Sequence, residues 1–522
     1  MALGAGTSSP AFADDTKPVA PAAAASNDAA LGLDPTTPQT TALPGGVTPA
    51  YGQRSLSEGE WRFDFHGFIT APLNVGIGNR SMPQPDQSGT TLHTPPAVPD
   101  DLDTFSHTGV VPTTYMQLNF SEGTSIVQAN MSILARQANA STSFLEPASQ
   151  VGVNDLFVSV LPRFKNLRTE VLVGAFSSRY GATGEYDEGR YGTPLIARLN
   201  GIGQRVSVRG RMGNFVLMAE EGLAGQSNKA GTAVTPDVWN DFANPNEGTS
   251  FVAHGHLGAR GWNFAQVGLH YLHAWSQDDH ANNVVTGAGM VNQSLPDAKM
   301  DVVAADARVT AGRFGHLYLA GSYVNAKHVG TLSRIVQILN TRGGPGLIQN
   351  YLGPNSDGNG NLTIVGGQYD LSIGKLVSYP VPFSGDGPDL FVSVFGMITH
   401  VNSDDHDANG VAYHDANYRF YDGTTKWKAG AEATYSLLPW LALSGRYDRV
   451  VPDTQDPTFT FAVVSPRIIL RTDWQATDQI VIQYSHWFNG ANTLIRVGDP
   501  PIENANFVPD KDMISLSASM WW

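Results

Sequence analysis

Cysteine is absent from the 522 residues, which excludes disulfides and thiolate metal sites. Charge is scarce: Asp, Glu, Lys and Arg together make up 15% of the chain. No apolar run of about eighteen residues occurs, so the sequence offers no membrane-crossing helix. Basic residues are the smaller share, 32 Lys and Arg against 47 Asp and Glu, for a formal net charge of -15. That balance argues against nucleic acid as a partner and suits an acidic extracellular surface. Catalytic signatures are missing as well. There is no Gly-x-Ser-x-Gly elbow, no His-Glu-x-x-His and no Walker loop, so an enzyme is not expected.

What the chain has is alternation. In residues 511–522, Ile514, Leu516, Ala518, Met520 and Trp522 share one parity, and Ser515, Ser517, Ser519 and Trp521 share the other. Successive side chains of a strand point to opposite faces, so one face is apolar and the other mostly hydroxyl. The same period recurs from Trp61 onward. Phe63, Phe65 and Ile69 alternate with Asp64, His66 and Thr70, and Val206 and Val208 alternate with Arg205, Ser207, Arg209 and Arg211. Repeated along the chain, the pattern predicts about eighteen strands.

The connections sort into two alternating classes. Short ones include 122–123, 213–214, 313–315 and 438–439; long polar ones include 78–110, 179–203, 222–248, 327–363, 402–424 and 490–510. This asymmetry predicts an all-β fold: a transmembrane antiparallel up-and-down β-barrel with short periplasmic turns and long extracellular loops, both termini periplasmic, in a bacterial outer membrane. Outer-membrane lipid and lipopolysaccharide would then be its surroundings. A barrel of about eighteen strands leaves an aqueous channel unless it is plugged. The expected function is therefore passive diffusion of small hydrophilic solutes. A charge-selective ion porin is the alternative, followed by a barrel enzyme or a surface adhesin built on the long loops. Residues 1–13 end in Ala11-Phe12-Ala13 and read as a signal-peptide remnant. Residues 14–60, rich in Pro and Ala, read as a flexible tail, and 61–522 as the barrel.

Several side chains stand out within that frame. Val206, Val208, Leu269, Ile482, Leu516 and Trp522 are expected to face lipid, with Tyr271, Trp275, Trp474 and Tyr484 at the interfaces. The long connection at 179–203 carries Glu185, Asp187, Glu188, Arg190 and Arg198, and Arg205, Arg209 and Arg211 follow. Acidic and basic groups facing each other across a lumen would set a transverse field, so these eight residues are the expected pore constriction. Asp405, Asp407 and Asn409, followed by Gly410, have the oxygen spacing of a calcium loop, and 355–360 repeats it. Ala416 and Gly366 stand where an EF-hand has its glutamate, and a solvated Asp/Asn-rich loop is the competing reading. His254 and His256 share a strand face, where they line the lumen or hold a metal whose third ligand the sequence does not identify.

The run Phe63-Asp64-Phe65-His66-Gly67-Phe68 and the ending Met520-Trp521-Trp522 resemble the two ends of maltoporin-type sugar porins. Arg179-Tyr180 and the Gly-x-Gly at 201–203 are faintly similar to that family's third loop, although Phe176-Ser177-Ser178 stands where the family has a Lys-Arg pair. The resemblance implies eighteen strands, a homotrimer and a slide of lumen aromatics for sugars. Phe68 and Trp521 match slide positions. Trp487, beside Gln483 and Ser485 in parity, is a third path candidate read from the residues alone.

Overall fold

A computed structural model describes residues 60–77, 113–124, 126–138, 149–164, 167–179, 197–227, 249–261, 265–277, 282–286, 289–293, 299–327, 336–338, 359–377, 388–403, 424–451, 454, 460–472, 478–489 and 511–521. They form an all-β antiparallel meander. In chain order the strands are β1 (Glu60–Ile77), β2 (Thr113–Gly123), β3 (Val127–Ala138), β4 (Ser149–Val160), β5 (Arg163–Phe164), β6 (Leu167–Arg179), β7 (Ala197–Met212) and β8 (Phe215–Ser227). Then come β9 (Thr249–Gly261), β10 (Ala265–Gln277), β11 (Asn282–Thr286), β12 (Gly289–Gln293), β13 (Lys299–Thr310), β14 (His316–Lys327), β15 (Val336–Ile338) and β16 (Gly360–Ser372). The chain continues through β17 (Asp389–Ser403), β18 (Thr424–Leu438), β19 (Leu441–Val451), β20 (Phe461–Leu470), β21 (Asp478–Asn489) and β22 (Lys511–Trp521).

Twenty of these belong to one sheet, while β11 and β12 form a separate hairpin. Each long strand pairs antiparallel with the next long strand. The last returns to the first, β22 pairing with β1 from Phe68↔Trp521 to Ile77↔Asp512. β5 is a two-residue addition to β6, and β15 adds three residue pairs to the start of β7.

The turns at one end are tight, and glycine permits two of them. Gly213, at φ 61, sits in the left-handed region in the turn between β7 and β8. Gly315, at φ 87, follows the 3-10 turn Gly312–Phe314, and a Cβ there would meet the Asp370 carbonyl oxygen at 2.0 Å. The strand β16 ends at Ser372. Residues Ile373–Val377 turn into a helix, α1. The Asp389 carboxylate accepts from the Gly374 amide at 2.7 Å and from the Ser372 hydroxyl, which draws the chain out of the ladder.

Parity decides what each face carries. On β19 burial alternates from Ala442 to Val450, with Ala442, Ser444, Arg446, Asp448 and Val450 buried. The opposite parity exposes Leu443 and Tyr447. Around the sheet the exposed face carries large apolar side chains such as Val158, Val173, Leu257, Leu269, Val303, Val365, Ile398 and Leu516. Leu269 is 59% exposed. The buried face carries serines, asparagines, histidines and ion pairs. A water-soluble sheet has the reverse arrangement.

The buried face is not polar along its whole length. Towards the long connections it is apolar: Val252, Leu272, Met300, Val302, Val324, Leu362, Ile364 and Val401 are all buried. Val450, Phe461, Val463, Trp487 and Met513 continue this layer as a cluster. The polar groups concentrate nearer the short turns. The apolar residues escape a reading by period because both parities are apolar in stretches such as Met300-Asp301-Val302-Val303-Ala304.

Candidate functional site

The polar part of the buried face is built from three walls. The first spans β2 to β7. Ser121 donates to Asn130 at 2.8 Å, Asn130 donates to Ser159 at 3.3 Å, and Ser132 donates to the Asp155 carboxylate at 2.9 Å. Next to this ladder Arg205 reaches Glu170 at 3.3 Å and lies 5.7 Å from the centre of the Phe176 ring. The cross-strand register sets the geometry, since Glu170 faces Ser207 and Leu172 faces Arg205.

The second wall lies on β9, β10 and β13. The Nδ1 atoms of His256 and His270 are 2.9 Å apart and the rings stack with centroids 4.5 Å apart. Two ring nitrogens at that distance share one proton, so one donates and the other accepts. His270 Nε2 lies 3.2 Å from the Asp306 carboxylate, both side chains being fully buried. His254, one turn of the alternation away, lies beside Phe176 instead. The partners of His256 were invisible in the sequence because His270 and Asp306 come from strands whose register only the fold supplies. Among the described residues no group of three or more His, Cys, Asp or Glu is arranged to hold a metal ion.

The third wall, β16 to β21, carries the densest charge. Arg446 grips Asp448 through Nε at 2.8 Å and Nη2 at 2.7 Å, with both side chains buried. The Arg446 guanidinium also sits 5.0 Å from the centre of the Phe395 ring. Glu432 takes Arg467 at 3.3 Å, and Arg467 donates to Gln483 at 2.6 Å. Ser393 donates to Asp370 at 2.6 Å. Buried charges require such partners, because an unpaired one costs several kcal/mol. None of these residues was singled out by motif. Their only signal was charge at alternate positions, as in Arg446-Tyr447-Asp448.

The expected site residues are scattered rather than gathered. Arg198, Arg205, Arg209 and Arg211 all lie on β7. At about 3.3 Å per residue, Arg198 and Arg211 are roughly 40 Å apart along the strand, and Arg198 has the parity of Val206 and Val208 while the other three share the opposite one, so the four do not form one ring. Arg198 pairs with Arg179 on one side and with Gln337 of β15 on the other. Arg211 is exposed at the short turn, its Nε donating to the Gly213 carbonyl at 3.0 Å. Glu185, Asp187, Glu188 and Arg190 lie outside the described residues, as do Asp405, Asp407, Asn409, Trp474 and Trp522. Phe68 and Trp521 are direct cross-strand partners, and Phe68 faces Tyr115 on its other side. Trp487 is 1% exposed within the apolar cluster.

The exposed face agrees with the sequence reading at Val206, Leu269, Ile482, Leu516, Tyr271 and Tyr484. Val208 is half-buried. Trp275 is also half-buried and stacks on Phe251 at 5.5 Å. Glu221 and Gln204 are exposed on the face that carries the large apolar side chains, Glu221 between Val206 and Gly255 in register.

No family model matches the chain, and no curated protein matches it. Among solved structures it is similar to the outer membrane channel DcaP of Acinetobacter baumannii, at 10% identity and a TM-score of 0.41, covering 90% of this chain and 100% of that one. It is also similar to Pseudomonas aeruginosa OccK11 (OpdR), at 9% identity and a TM-score of 0.38 over 90% of this chain and 98% of that one. A third is the outer-membrane OmpT of Vibrio cholerae, at 10% identity and a TM-score of 0.33 over 90% of this chain and all of that one.

Proposed function

We propose that this chain is a bacterial outer-membrane porin, a closed barrel of eighteen strands through which small hydrophilic solutes diffuse passively. The observation that carries the reading is the inverted polarity of the sheet. Large apolar side chains are exposed on one parity around the sheet, while ion pairs such as Arg446–Asp448 are buried on the other. Lipid outside and a polar passage inside account for both. The return of β22 to β1 supports closure, and removing the short additions β5 and β15 from the twenty sheet members leaves eighteen staves. The long connections face outward from the cell and both termini are periplasmic.

Planar-bilayer recording is the test. Stable conductance steps from the folded protein are expected, and a folded protein without them would overturn the reading. Solutes pass against the polar walls. The paired charges of Arg205–Glu170 and Glu432–Arg467 line that route and favour charge selectivity as the second reading. The sugar preference rests on the termini: Phe68 and Trp521 begin the aromatic path, while Trp487, closed into the apolar cluster, offers it no ring face. A homotrimer is part of the proposal, with Glu221 and Gln204 marking the face covered by another copy, since lipid alone disfavours an exposed carboxylate. Calcium in the outer loop at Asp405, Asp407 and Asn409 is its weakest part.

A further inference from the structure

Lys299 opens β13 and Lys327 closes β14, and the two are direct cross-strand partners. Both are exposed. They stand on the apolar parity, Lys299 with Val303 and Lys327 with Tyr323, at the end of the sheet that bears the long connections. Like charges directly opposite each other destabilise a sheet. Among the described residues neither lysine has an ion pair. Asp301, two residues from Lys299 on the same face, is taken by His273 at 2.7 Å. On the far side of Lys299, its register partner is Trp275, which stacks on Phe251 at 5.5 Å.

We infer that Lys299 and Lys327 bind the phosphate of a phosphorylated glycolipid of the outer leaflet, the lipid A portion of lipopolysaccharide. The inference rests on the porin reading above, which turns this face to lipid. The height fits: the lysines lie four residues beyond the Val303 row, about 13 Å along the strand, at headgroup level and not in the acyl region. The chemistry also fits. A phosphate between two ammonium groups removes their repulsion and accepts hydrogen bonds from both. The Trp275 and Phe251 rings offer an apolar surface to the glucosamine ring, and the exposed Val303 below takes the acyl chains.

The test is lipid retention. The refolded protein is equilibrated in phosphatidylcholine vesicles doped with diphosphoryl lipid A, dephosphorylated lipid A or phosphatidylglycerol, and bound lipid is counted by native mass spectrometry. Wild type is expected to retain diphosphoryl lipid A above the other two. K299Q/K327Q should bind it about thirtyfold more weakly, about fivefold per charge, and K299R/K327R should bind like wild type. Equal retention by wild type and K299Q/K327Q overturns the site. Retention of phosphatidylglycerol equal to that of diphosphoryl lipid A overturns the glycolipid assignment. Conductance of the same preparations separates the two levels: channels that conduct without retaining lipid A refute this site alone, whereas absence of conductance refutes the porin.

Discussion

Phe68 and Trp521 lie directly opposite each other where the first long strand meets the last, with Tyr115 opposite Phe68 on the other side. Three aromatic residues from three strands therefore occupy one row. Their shared parity is that of Asn119 and Ser515, which are buried with the polar walls. Removing one ring by Phe68→Ala or Trp521→Ala should weaken single-channel blockage by a linear oligosaccharide about fivefold, roughly 1 kcal/mol. Tyr115→Ala should do the same. Unchanged blockage in all three variants means that these rings do not guide sugars.

The lipid-facing assignment predicts depth dependence. Leu269→Lys, in the middle of the apolar face, should destabilise the folded protein by about 2–4 kcal/mol, whereas Trp440→Lys, beside a short turn, should cost about 0–1 kcal/mol. Urea titrations in lipid vesicles give both values. Equal costs would place lipid elsewhere.

The Arg446–Asp448 pair predicts a coupled change in stability and selectivity. Asp448→Asn removes the partner of a buried guanidinium, which should cost about 3 kcal/mol and shift the reversal potential in a salt gradient towards anions. Replacing Arg205 and Arg209 by glutamine should shift it towards cations. If all variants fold and share the wild-type reversal potential, these charges do not line the passage.

Glu221 gives the oligomer a foothold. Reversing its charge in Glu221→Arg should convert a trimer in mild detergent to monomers, read by light scattering, while leaving single-channel conductance intact. A trimer that survives the reversal puts the contact on another face.

Asp405, Asp407 and Asn409 predict calcium binding measurable by titration calorimetry and lost in D405N/D407N. A wild type that releases no heat has an ordinary solvated loop there.

The legible part of this protein is the part governed by period two. Leu269, Ile482 and Leu516 were placed on the right face by counting alone, because a one-residue slip would turn every side chain over. Position along the strand was less legible. Parity puts Arg205, Arg209 and Arg211 on one face and Arg198 on the other, but says nothing of the roughly 40 Å between Arg198 and Arg211. Register was not legible at all, and it is register that makes the site. His256 meets His270, Glu432 meets Arg467, and Gln337 meets Arg198 only once the strands are aligned. The helical turn at Ile373–Val377 was hidden for a related reason, since the carboxylate that bends it comes from Asp389 across a connection.

The pairing of β1 with β22 also bears on how such a chain can be made. Ile69 and Met520 are opposite each other yet 451 positions apart in the sequence. Until β22 is available, β1 keeps a bare row of amide and carbonyl groups, an edge able to pair with any other strand it meets. Long-range pairing of this kind is slow, and the unsealed sheet is prone to aggregate while it waits. Seating the final strand is thus both the finishing step of assembly and the protection against misassembly. A new chain must be kept apart from its copies until β22 has paired with β1.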